Sequence, residues 1–151
     1  MSDAETAGAD VRSGSDTGRS ILRSILAVLA GLVFIFVVTT LTDVVMHATG
    51  IFPRWFVPMD TPLWVLALAY RIIYGVGGGY ITARLAPNRP VLHAVVLGVI
   101  GVVLSTFGAA ATWNKGPEFG PQWFPISLIL ISIPCSWLGG KLSEMQRSAK
   151  G

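Results

Sequence analysis

Between Arg23 and Asp43 the chain reads SILAVLAGLVFIFVVTTLT, nineteen successive residues without a charge. As a helix rising 1.5 Å per residue this run measures about 28 Å, close to the roughly 30 Å of hydrocarbon in a bilayer. A strand alternates its faces every second residue, and continuous apolar character of this length does not suit one. A secretory signal has a shorter apolar region of about 7–15 residues and a small-residue cleavage site. The run is therefore read as a retained transmembrane helix.

Three more such segments follow, and the spans are predicted at about 22–46, 62–85, 90–113 and 122–140. The second starts at Asp60 or Thr61 as a cap, with Pro62 in its first turn. Pro87 ends it, since proline removes a donor and restricts the residue before it. Pro87-Asn88-Arg89-Pro90 makes a tight turn into the third span. Residues 48–61 and 114–121 form the other two connections. The first of these, with Phe52, Trp55 and Phe56, is expected along the membrane surface, where aromatic rings gather. The predicted fold is an all-α, integral-membrane four-helix bundle.

Composition agrees: 52% of the 151 residues are hydrophobic, 13% are charged, and mean hydropathy is +0.64. A soluble domain carries roughly 25% charged residues. The net charge of +3 could suggest nucleic acid, but the basic residues flank the spans and need no such partner. Eight lie with the termini and the 87–90 turn: Arg12, Arg19, Arg23, Arg84, Arg89, Lys141, Arg147 and Lys150. Only Arg54 and Lys115 lie in the other connections. The positive-inside rule then places both termini in the cytoplasm. Residues 1–20 are polar and poor in apolar side chains, and are expected to be disordered. Residues 143–151 form a basic cytoplasmic tail. The lone Cys135 excludes an internal disulfide.

Helices in lipid associate through close packing of small residues. The third span carries Ala94, Gly98, Gly101, Ser105, Gly108 and Thr112 in steps of four and three, the period of a left-handed seam. The second carries Gly75, Gly79 and Ala83. The fourth carries Ser132, Ser136 and Gly139, with Pro134 freeing the Leu130 carbonyl, which the two serines are expected to help satisfy. The glycine run is not a dinucleotide loop. That fingerprint follows a strand and ends on glycine, whereas here the final position is Tyr80 inside a span.

Polar residues within the spans are few, and Arg71 lies about eight residues into the second. Arg71 costs about 2.5–3.5 kcal/mol on insertion scales and needs a partner in the bundle interior. Asp43 is the candidate, flanked by Thr39 and His47 on the same helical face at i, i+4 and i+8. The cluster reads as a structural polar tie, or as a proton or anion site of a small transporter or channel subunit. Histidine, which changes charge near neutral pH, makes the second reading conceivable. A metal site needs several ligands, and Asp43 with His47 gives only two. No cofactor motif and no catalytic constellation is evident, so a non-enzymatic protein that packs with itself or with a larger membrane partner is the leading expectation.

Asp43 with His47, Tyr70-Arg71, Gly77-Gly78-Gly79-Tyr80, Ala83-Arg84-Leu85-Ala86-Pro87-Asn88-Arg89-Pro90, His93-Ala94 and Gly139-Gly140-Lys141 resemble elements of small four-span membrane proteins of bacteria. The resemblance covers about 25–142. It implies a cell inner-membrane location and brings no activity.

Overall fold

In the computed structural model residues 2–150 are described, with side chains from Thr17 onward. Four helices make up the chain: α1 Ser2–Ala48, α2 Thr61–Leu85, α3 Pro90–Thr112 and α4 Trp123–Ser148. A short 3-10 turn, Pro117–Phe119, lies between α3 and α4. All four helices include segments long and apolar enough to cross a membrane, and α1 supplies Thr17–Ala48 for that purpose. The protein is thus a multi-pass membrane protein built as a helical bundle.

Two boundaries differ from expectation. The stretch 1–20 was expected to be disordered, yet α1 begins at Ser2. The fourth helix was expected to stop near residue 140 and runs on to Ser148, so most of the basic tail is helical. The reason is tertiary. Ser143 is completely buried, and the Arg147 guanidinium donates to the backbone carbonyls of Ala83 (3.0 Å) and Arg84 (2.6 Å). These are among the last carbonyls of α2, which have no partner within their own helix. A cation there also complements the negative end of the helix dipole. Replacing Arg147 with alanine should cost about 1 kcal/mol. Amide hydrogen exchange would show it as faster exchange in the last turn of α2, and unchanged exchange there would remove the capping role.

The ends of the helices fall into two groups. The turn at 86–89 lies with the C-terminal part of α4. The connections at 49–60 and 113–122 meet at the opposite end, where Phe56 and Phe119 rings lie 6.4 Å apart. We call these the turn end and the loop end. At the loop end the first connection does more than cover the surface: Phe52 is buried in a cluster with Ala67, Tyr70 and Phe124. Gly120 has φ +95°, and a Cβ there would lie 2.6 Å from the Trp64 ring, so both backbone and space require glycine. Asp60 does occupy the N-cap of α2, but its side chain makes no cap bond. Pro62 has no N–H to offer, and the Leu63 N–H goes to the Asp60 carbonyl at 3.0 Å.

Packing is uneven. The helix α4 lies in the groove between α2 and α3, α1 packs on α2 with a small contact to α3, and among the described residues α1 and α4 share no packed interface. The turn-end half is closed by glycines. A Cβ on Gly139 would strike the Val76 carbonyl oxygen and the Tyr80 nitrogen of α2, and one on Gly79 would strike the Ser136 carbonyl. Gly140 faces α3, where its Cβ would lie 2.7 Å from the Ala94 methyl. Adjacent glycines on α4 therefore admit two helices at once. Gly31 of α1 meets Thr82 and the Gly78 carbonyl of α2.

The small residues named from the sequence divide by depth. Ala83 and Ala94 are fully buried at the turn end. Gly75 approaches Cys135, Gly98 approaches the Ile133 backbone, and Gly101 approaches Ser132. Ser105 faces a cavity rather than a helix, and nothing lies within 4 Å of a Cβ on Gly108. The seam of α3 is tight only over its first half. The helix α4 continues through Pro134, and Ser132 donates to Leu128 O at 2.6 Å, one turn back, rather than to the Leu130 carbonyl.

Candidate functional site

The intramembrane charge lies where α1 and α2 face one another near the loop end. The Arg71 Nη2 donates to Asp43 Oδ2 at 2.7 Å. Its Nη1 donates to the Ala67 carbonyl at 3.1 Å and to the Tyr70 hydroxyl at 2.8 Å. The Tyr70 hydroxyl in turn donates to Asp43 Oδ1. Both carboxylate oxygens are thus engaged by α2. The guanidinium also lies over two aromatic rings, 5.0 Å from Tyr70 and 5.4 Å from Phe124. A cation on a ring face gains from the ring quadrupole, more so away from water. One turn further toward the turn end, Thr42 and Tyr74 hydroxyls share a hydrogen bond of 2.9 Å. Two polar contacts therefore join α1 to α2, stacked one above the other.

The remaining cluster members take separate places. The His47 Nδ1 lies 2.8 Å from the backbone carbonyl of Asp43, not from Arg71. Its ring stacks on Trp55 at 3.7 Å between centroids and meets Phe52 edge-on. It belongs to the loop-end aromatic layer. Thr39 is one turn below Asp43, and its Oγ1 is buried without a hydrogen-bond partner. Tyr70 and Thr42, absent from the sequence-based set, complete the network. Tyr70 could have been found as the residue adjacent to Arg71, since a buried phenol hydroxyl usually takes a partner.

Two cavities flank this network. A crevice of about 330 Å³ lies at mid-depth, walled by α1 on one side and by α3 and α4 on the other, with Gly75 and Arg71 contributed by α2. A vestibule of about 250 Å³ lies at the loop end, lined by Asp43, His47, Arg54, Trp55, Glu118 and Phe119 among others. Arg71 lines both. Among the described residues no group of three or more His, Cys, Asp or Glu side chains is gathered as for a metal ion. Family models, curated proteins and solved structures give no match to this chain.

Proposed function

We propose that the protein is a non-catalytic accessory component of a bacterial inner membrane, with both termini in the cytoplasm, acting by packing with a second copy or a larger membrane partner. The observation that carries this reading is the closed network of Asp43, Tyr70 and Arg71, in which both carboxylate oxygens are engaged within the chain. A charge pair so held serves to fix α1 against α2. The distribution of basic residues along the sequence supports the orientation.

A second reading, a small transporter or channel subunit, is favoured by one observation: Arg71 borders both the crevice and the vestibule. The two separate in proteoliposomes. Arg71→Leu is compared with the native chain for membrane yield, oligomer size and flux of protons and chloride. On the accessory reading, native vesicles leak no faster than protein-free ones, and the variant suffers in yield. Native flux that disappears in a variant of normal yield and oligomer size would establish transport instead.

A further inference from the structure

The crevice and the vestibule have complementary chemistry and meet at one residue. Each crevice wall spans eight residue steps, from Leu32 to Thr40 on α1, Leu97 to Ser105 on α3 and Leu128 to Ser136 on α4. That is a slot about 12 Å tall. Its lower end is closed where Gly31 meets Leu97 and Thr82 and where Gly98 meets Ile133. Its mouth faces sideways, since Phe36 and Leu104 line it and are also 71% and 53% exposed. In a bilayer this mouth opens onto acyl chains. The volume falls within the range of about 300–1,000 Å³ usual for ligand sites.

Polar atoms without partners collect at the upper end. A guanidinium has five N–H donors, and Arg71 engages three of them with Ala67, Tyr70 and Asp43. The Thr39 hydroxyl is buried, partnerless and on the crevice wall. Beside the paired Arg71 and Asp43, the vestibule offers a second cation and a second carboxylate, Arg54 and Glu118, which form no ion pair with each other or with any described residue. Trp55 and Phe119 also line it, with one face of Trp55 stacked on His47 and the Lys115 ammonium over the Phe119 ring at 5.8 Å.

We propose that crevice and vestibule together form a binding site for one zwitterionic phospholipid. One acyl chain lies in the slot, entering between Phe36 and Leu104. The ester and phosphate oxygens accept from the unengaged Arg71 donors and from Thr39. The headgroup occupies the vestibule, its phosphate toward Arg54 and its ammonium toward the Glu118 carboxylate. A lipid with a net negative headgroup would leave Glu118 facing an anion, which is why the charge pair selects the zwitterion. The site is independent of whether the protein also moves a solute.

The test is native mass spectrometry of the detergent-purified chain, offered phosphatidylethanolamine, phosphatidylcholine, phosphatidylglycerol and oleate at equal concentration. The expected result is one phospholipid per chain, with either zwitterion retained about tenfold over phosphatidylglycerol, a preference equivalent to one order of magnitude in affinity. Glu118→Gln should cut that preference to about threefold or less while total uptake persists, because only the ammonium contact is weakened. Ser105→Phe should fill the slot and reduce uptake of every lipid by about tenfold or more, the effect expected when an apolar pocket is blocked. If that variant does not fold, Thr39→Val decides, with an expected loss of about fivefold, the size of one neutral hydrogen bond. Equal or greater retention of phosphatidylglycerol, retention of oleate alone, or no retained lipid would each overturn the proposal. So would a disulfide linking Phe36→Cys of one copy to Ser105→Cys of another, which would make a second copy the occupant.

Discussion

Gly139→Ala is expected to abolish folding or to lower stability by more than about 4 kcal/mol, beyond the range of most single substitutions. One methyl suffices because of what it meets. A Cβ on Gly139 falls on the Val76 carbonyl oxygen and the Tyr80 nitrogen, both backbone atoms inside α2. A side chain can rotate away from an intruding methyl, but a helix backbone moves only as a rod. The helices α2 and α4 would have to separate along their length, which would also release Gly79 from Ser136 and Gly75 from Cys135. In lipid no hydrophobic force compensates for lost contact between helices. The control is Gly108→Ala, where nothing lies within 4 Å of the added carbon. That change should be neutral or stabilise by up to about 1 kcal/mol, through the better helix propensity of alanine. Unfolding in mixed micelles would compare the two, and equal responses would contradict the described approach of α2 to α4.

The second large effect concerns the charge pair. Arg71→Leu should lower stability by about 3–5 kcal/mol, because it leaves the Asp43 carboxylate without its cation and with only the Tyr70 hydroxyl as partner. Asp43→Asn should be milder, since Arg71 keeps Ala67 and Tyr70 and can extend toward the vestibule. In the double variant neither charge remains, and it should recover part of the loss, with a coupling energy of about 1–3 kcal/mol. Additivity of the two changes within about 0.5 kcal/mol would show that the pair does not act as a unit.

Much of this architecture could be read from the chain because membrane insertion imposes strong rules on composition. Long uncharged runs mark the spans, and Pro87 and Pro90 mark the turn. Asp43 was named because Arg71 required an anion and few were available in the spans. Other features depend on partners that periodicity cannot supply. Gly31 was not named, although Ala27 four residues earlier makes a small-xxx-small step with it and is buried; it matters because Thr82 and Gly78 lie opposite. Gly140 follows Gly139 by one residue and so faces another helix, outside any single-face series. His47 shares a face with Asp43 on a helical wheel, yet α1 ends at Ala48 and the loop folds Trp55 onto its ring. The crevice arises from the lack of packing between α1 and α4, a fact about helix positions that no single segment encodes.

That uneven packing also orders the events of assembly. The helices α2, α3 and α4 close on one another through backbone approaches that tolerate no extra atom, whereas α1 holds to the group mainly through α2. The neighbours of α1 are thus synthesised before α4, whereas α2 and α3 complete their packing only when α4 follows. Until α2 follows, Asp43 has no arginine and Thr42 no tyrosine, so the nascent α1 enters the bilayer with its carboxylate unanswered. Synthesis of thirty or so further residues delivers Tyr70, Arg71 and Tyr74 together on one helix. Chains cut between α1 and α2 and expressed as two pieces should accordingly reassemble, with α1 the piece that exchanges.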